Sequence, residues 1–110
     1  MAIYTSRINY AGRIISLDIT VKGQDSFGKY FAPTWAMVNE FKRNNNQEKY
    51  LEQYNIILEE NYIKIKELGS YVKRNDLVLK CYCGKNSFCH RFVLANYIKN
   101  IFGVEYLGEI

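Results

Sequence analysis

Histidine occurs once, at His90, which excludes any site built on two or more imidazoles. Proline also occurs once, at Pro33. No apolar run approaches the roughly 20 residues that a membrane-crossing helix needs, so no membrane partner is expected. Three cysteines cannot all pair within one chain, which argues against a disulfide scaffold and for a reducing, cytoplasmic location. Met1-Ala2-Ile3-Tyr4 runs directly into strand-like sequence, so neither a signal nor a transit peptide is expected. Neither sign of charge dominates: 15 basic and 11 acidic side chains leave a net +4. That excess suits an anionic ligand but falls short of the clustered charge of a dedicated duplex-DNA binder.

What remains is a chain of 110 residues, 48% hydrophobic and 24% charged, enough for one domain with a core. We therefore read residues 1–110 as a single α/β domain. Ile, Lys, Asn and Tyr are abundant, as an AT-rich genome would encode, so an isolated Lys or Tyr carries little functional weight.

Ala2 to Ile8 mixes β-branched and aromatic residues and reads as a strand, and Arg13 to Val21 as a second. The link Asn9-Tyr10-Ala11-Gly12 is too short for an ordinary parallel crossover, so an N-terminal antiparallel hairpin is favoured. Lys22 to Ala32 reads as a loop. Pro33 and Thr34 open a short helix with Trp35, Val38 and Phe41 inward, and Asn44-Asn45-Asn46 ends it. Between Gln47 and Leu68, Leu51, Tyr54, Leu58, Tyr62, Ile65 and Leu68 recur at helical steps, and Gly69-Ser70 suits a stop. Tyrosines at that spacing are read as core rather than as a base-stacking ladder. Asp76 to Tyr82 is a compact apolar strand, expected to run parallel to the second. A helix opens at Cys89 or His90, with Phe92, Ala95, Ile98, Ile101 and Phe102 inward, and Gly103 stops it. Val104 to Leu107 forms a short last strand. The sheet is thus mostly parallel, with about four strands.

The informative segment is Lys80-Cys81-Tyr82-Cys83-Gly84-Lys85-Asn86-Ser87-Phe88-Cys89-His90-Arg91. It joins an inner strand to a helix, where open α/β sheets bind ligands. The first turn of a helix offers unpaired N–H groups and partial positive charge. Gly84 permits a tight path, Lys85, Arg91 and protonated His90 add charge, and Asn86 and Ser87 add polar contacts. Together they form a candidate phosphate or carboxylate cradle. Three readings of the cysteines compete. Cys81, Cys83, Cys89 and His90 are zinc-type ligands, but C-x-C-x5-C-H lacks the usual two-residue spacers, so no metal or other cofactor is assigned. Cys89, beside His90 and Arg91 at a helix start, is a candidate nucleophile, though no cysteine–arginine spacing fits a phosphatase loop. The third reading is structural, with Cys81 in the strand and Cys89 under the helix.

Val78-Leu79-Lys80-Cys81-Tyr82-Cys83, then Phe88-Cys89-His90-Arg91 and Leu94-Ala95, resembles the signature of the family catalogued as domain of unknown function 488 (DUF488). Tyr4-Thr5 and Leu17-Asp18-Ile19 resemble its first two strands. The resemblance implies a small Rossmann-like domain of two or three layers, with Thr5, Ser6, Asp18, Cys89, His90 and Arg91 near one cleft. It implies no reaction. The family usually has a helix between its first two strands, for which Asn9 to Gly12 leaves no room. Thr20 stands where the family has an arginine, with Arg7, Arg13 and Lys22 the candidates to replace it. A trimmed version that keeps a binding cleft while losing an enzyme's machinery fits these departures.

The leading expectation is binding of a small phosphorylated ligand, a nucleotide or nucleotide-derived signal, by a sensor or sequestering protein, with a phage-encoded setting in view. Arg91, Lys85 and the helix start would hold phosphates, Asp18 and Ser6 hydroxyls, and Trp35 or Tyr82 a base, with a core role favoured for Trp35. The first alternative is an enzyme acting on nucleotides or nucleic acid, with Asp18, His90 and Cys89 as catalytic candidates. The second is a zinc-stabilised nucleic-acid-binding module. Nucleic acid and a second copy of the chain stay open as partners.

Overall fold

A computed structural model describes residues 1–82 and 88–110. It contains four strands, β1 (Ala2–Arg7), β2 (Ser16–Asp18), β3 (Leu77–Cys81) and β4 (Glu105–Glu109). Four helices accompany them: α1 (Trp35–Asn44), α2 (Gln47–Glu60), α3 (Tyr62–Val72) and α4 (His90–Phe102). A short 3-10 turn spans Gly28–Phe31. All strands are parallel, in the order β2-β3-β1-β4. No described helix is long and apolar enough to cross a membrane.

The N-terminal hairpin is therefore corrected, because β3 lies between β1 and β2. Tyr4 and Ser16 both sit level with Val78, so the link must return only three residues along the strands and two strands across. At about 3.3 Å per residue and 4.8 Å per strand that is roughly 14 Å, well within reach of the eight-residue link. A three-residue β2 is what lets so short a crossover close.

The two helical crossovers both move in the direction from β2 towards β4. Right-handed connections accordingly put every helix on one face, and the returning link of residues 8–15 on the other. Burial agrees. One core cluster joins Ile3, Leu17, Ile19, Leu77, Leu79 and Cys81 from the strands with Met37, Tyr54, Leu58, Ile65, Leu94 and Ile98 from the helices. On the opposite face Val78 and Ser6 are also buried. The domain is a two-layer α/β sandwich with a thin cover behind the sheet.

Local chemistry sets the boundaries. Thr34 caps α1, its hydroxyl accepting from the Met37 N–H at 3.1 Å, and Asn45 closes it in the left-handed region. Asn46 caps α2 by accepting from the Lys49 N–H. The expected single helix from Gln47 breaks at Asn61, whose side-chain amide donates to the Ile57 carbonyl at 2.9 Å. Gly69 is not a stop: the helix runs on to Val72, and Gly69 is buried where a Cβ would meet the Phe102 ring. Gly103, at φ +69°, does end α4. Ile101 faces outward, and Leu94 takes the core position instead.

One irregularity in β4 matters for the site. Ile3 pairs with Tyr106 but Thr5 pairs with Glu109, so β4 carries one extra residue there. Gly108 has φ +99°, which permits this bulge. Strict alternation would send Tyr106 and Glu109 to opposite faces. The bulge returns Glu109 to the helix-covered face, against Arg91.

Candidate functional site

Cys81 ends β3 and Cys89 is the N-cap residue of α4, so strand and helix bring their sulfurs together across the intervening loop. The two Sγ atoms are 2.7 Å apart and both residues are buried. His90 follows on the first turn, with Nδ1 3.5 Å from the Cys89 Sγ and Nε2 2.6 Å from the Ile19 carbonyl oxygen. A carbonyl only accepts, so Nε2 carries the proton and Nδ1 presents its lone pair to Cys89. Burial holds the His90 pKa below the ordinary imidazole value, against smaller opposing effects of Cys81 and the Ile19 carbonyl. The ring is therefore neutral near pH 7.

Arg91 is wholly buried. Its Nε and Nη2 donate to the two carboxylate oxygens of Glu109 at 3.1 and 2.7 Å, and Nη1 donates to the Cys81 Sγ at 3.1 Å. Burial opposes its charge, but the bonds to Glu109 and Cys81 outweigh that and hold its pKa above the usual arginine value. Burial likewise works to raise the Glu109 pKa, but the hydrogen bonds from Arg91 and Thr5 and the Arg91 charge together outweigh it, so the carboxylate stays ionised. Thr5 joins the network through a 2.7 Å hydrogen bond between its hydroxyl and that of Tyr106.

Beside this cluster lies a cleft of about 460 Å³. Thr20 and Val21 follow β2, Cys81 ends β3 and Tyr82 follows it, and Trp35, Val38 and Phe41 come from α1. Tyr50, Phe88 and His90 complete the wall, with Lys22 and Lys42 also lining it. Phe88 packs on Phe41 and Tyr50 at centroid distances of 5.2 and 5.3 Å. Trp35 is not the core anchor expected of it: it is 48% exposed, with the Lys22 ammonium 5.8 Å from its ring centroid.

The expected site residues divide into groups. Cys89, His90 and Arg91 do meet, with Cys81 and, through Glu109, Tyr106 and Thr5. Arg91, however, does not line the cleft, and its guanidinium is already engaged by Glu109. That corrects the picture of an arginine presented to an incoming phosphate. Ser6 and Asp18 flank Lys80 in one row on the opposite sheet face. Asp18 there accepts from the Thr20 N–H at 2.9 Å and the Thr20 hydroxyl at 2.7 Å, which fixes the turn after β2. Arg7 ends β1, exposed. Cys83, Gly84, Lys85, Asn86 and Ser87 lie outside the described residues. Sequence reasoning missed Glu109 because only the bulge at Gly108 turns it inward. It also missed Lys42, a lysine with no motif to mark it, whereas Lys22, a candidate to replace the family's arginine, does line the cleft.

For metals, the Cys81 and Cys89 sulfurs and a His90 nitrogen lie within 4.8 Å of one another. Zinc bonds of about 2.3 Å at tetrahedral angles would separate two sulfurs by roughly 3.8 Å. The Cys81 and Cys89 sulfurs, at 2.7 Å, stand closer together than that.

The model of the DUF488-N3a family, described as the active DUF488-N3 subclade, matches residues 2–101. No curated protein and no solved structure matches the chain.

Proposed function

The chain belongs to the DUF488-N3a family, and on that premise we propose that it binds a small phosphorylated ligand, a nucleotide or nucleotide-derived signal, in the cleft beside Cys81 and His90. It would act as a sensor or a sequestering protein. The cleft sits beyond the carboxyl ends of β2 and β3, where α/β sheets take ligands. Its volume is in the usual range for small-molecule sites, roughly 300–1,000 Å³. Apolar aromatic walls suit a flat base. Lys22 and Lys42 replace Arg91 as the cations for a phosphate.

The observation that carries this reading is Trp35, a large aromatic left half in solvent on the cleft wall beside an ammonium group. It is the only tryptophan, so its fluorescence reports on the cleft alone. Titration with a panel of linear and cyclic nucleotides is expected to quench it saturably, and Lys22→Glu with Lys42→Glu to weaken binding at least tenfold. No response to any nucleotide at millimolar concentration sinks the reading.

A second reading, an enzyme acting on nucleotides, has two observations in its favour. The family description includes the word active. A neutral imidazole, His90, stands on the cleft wall with its base-competent Nδ1 next to a thiol. Product formation from the same panel, lost in His90→Gln, distinguishes it from binding alone.

A further inference from the structure

The buried thiol pair behind the cleft wall has a chemistry that ligand binding does not use. We propose that Cys81 and Cys89 form a dithiol redox centre that reduces a small hydroperoxide and closes to an intramolecular disulfide. The sulfurs are 2.7 Å apart, against about 2.05 Å for a covalent S–S bond, so closure needs only a small shift of two well-anchored residues.

The surroundings give the two thiols different roles. Cys81 lines the cleft and Cys89 does not, so an oxidant reaches Cys81 first. The Arg91 N–H directed at the Cys81 Sγ favours negative charge on that sulfur. Cys89 instead faces the Nδ1 lone pair of His90, which is held in place by the Ile19 carbonyl. Cys81 is thus the attacking thiolate, Cys89 the resolving thiol and His90 the base.

The steps balance as follows. The Cys81 thiolate attacks one oxygen of hydrogen peroxide. An S–O bond forms, the O–O bond breaks, and hydroxide leaves with the electron pair and takes up a proton from solvent. Sulfur is oxidised to a sulfenic acid and peroxide is reduced to water. His90 Nδ1 then takes the Cys89 thiol proton, and the Cys89 sulfur attacks the Cys81 sulfur. The S–S bond forms, the S–O bond breaks, and hydroxide leaves and recovers the proton from His90 as water. Two thiols and one peroxide give one disulfide and two waters. The oxidant is a water-sized peroxide rather than a bulky disulfide, because both cysteines are almost wholly buried.

The test uses the full chain with Cys83→Ser, so that only the two thiols in question remain. Hydrogen peroxide is expected to abolish alkylation of both thiols, lower the intact mass by two hydrogens and join the peptides of Cys81 and Cys89, all reversed by dithiothreitol. Oxidised glutathione at equal concentration is expected to act at least tenfold more slowly. Adding Cys89→Ser is expected to halt the reaction at a sulfenic acid on residue 81, captured by a 1,3-dicarbonyl probe. His90→Gln retains an N–H for the Ile19 carbonyl but removes the base, and is expected to slow disulfide closure tenfold or more while sulfenic acid accumulates. Two results overturn the proposal: both thiols still alkylatable after peroxide in the folded Cys83→Ser protein, or oxygen added to Cys89 without loss of two hydrogens. Neither depends on the other variants folding.

Discussion

Replacing Glu109 by Gln tests whether the Arg91 charge is satisfied internally. Arg91 has no exposed side-chain surface, and both oxygens of Glu109 accept from it. Removing one partner of a buried pair costs about 3–5 kcal/mol, because the other charge is left uncompensated. Two features reduce the figure here. The Glu109 side chain keeps 14% of its surface exposed, so water can approach, and Gln still offers one accepting oxygen. We expect a loss of about 2–3 kcal/mol, out of a total near 5–15 for a domain of this kind. With an unfolding entropy of about 2.1 cal/mol/K per residue, the melting temperature falls by roughly 10 °C. Scanning calorimetry and urea unfolding both measure it. The double change Arg91→Met with Glu109→Leu, which removes both charges, is expected to recover most of the loss. A Glu109→Gln protein within about 0.5 kcal/mol of the parent, or a double variant no better than the single, refutes a locked pair.

The remaining expectations concern acid and close packing. Burial, with a smaller push from Arg91 and against the opposing effects of Cys81, the Ile19 carbonyl and Asp18, holds the folded His90 pKa below its unfolded value near 6.5. The unfolded chain therefore binds a proton that the folded one refuses, so stability is complete above about pH 6.5 and declines as pH falls from there towards the folded pKa. Glu109, also depressed, adds a second loss below its ordinary value of 4.5. Urea midpoints from pH 7.5 to 5 should show the first decline in the parent and a flatter curve in His90→Gln; parallel curves contradict it. Gly28→Ala puts a Cβ 2.0 Å from the Asp18 carbonyl oxygen, a backbone atom that cannot swing aside. We expect at least 3 kcal/mol of destabilisation, against about 1–2 for Gly103→Ala, where space is open and only the positive φ is costly. Thermal melts that rank the two in the opposite order would falsify this account.

The α/β class, the start of α4 and its glycine stop were legible because each rests on local chemistry: β-branched runs, a helical period, a left-handed cap. The Cys-His-Arg segment marked where Cys81, Cys89, His90 and Arg91 gather for the same reason. What escaped depends on geometry between distant segments. Whether β1 and β2 pair or are parted by β3 depends on where β3 inserts, which a four-residue link does not encode. The break at Asn61 was masked by an apolar period that continues across it. Trp35 looked inward because its helical spacing matches a core face, yet that face borders a cleft. Arg91 looked like a ligand for phosphate because its counter-ion sits eighteen residues away, turned inward by a bulge that alternation does not foresee.

The bulge at Gly108 also bears on how the molecule assembles. β4 joins the sheet through β1 alone, yet it brings the carboxylate that α4 requires. A folding intermediate with α4 seated and β4 still loose would hold a dehydrated guanidinium stripped of its carboxylate partner. Such a species is disfavoured by several kcal/mol, so helix seating and strand docking are thermodynamically joined. An edge strand that ought to fray on its own is thereby recruited into the global transition, and its amides should exchange with solvent as slowly as those at the centre of the sheet.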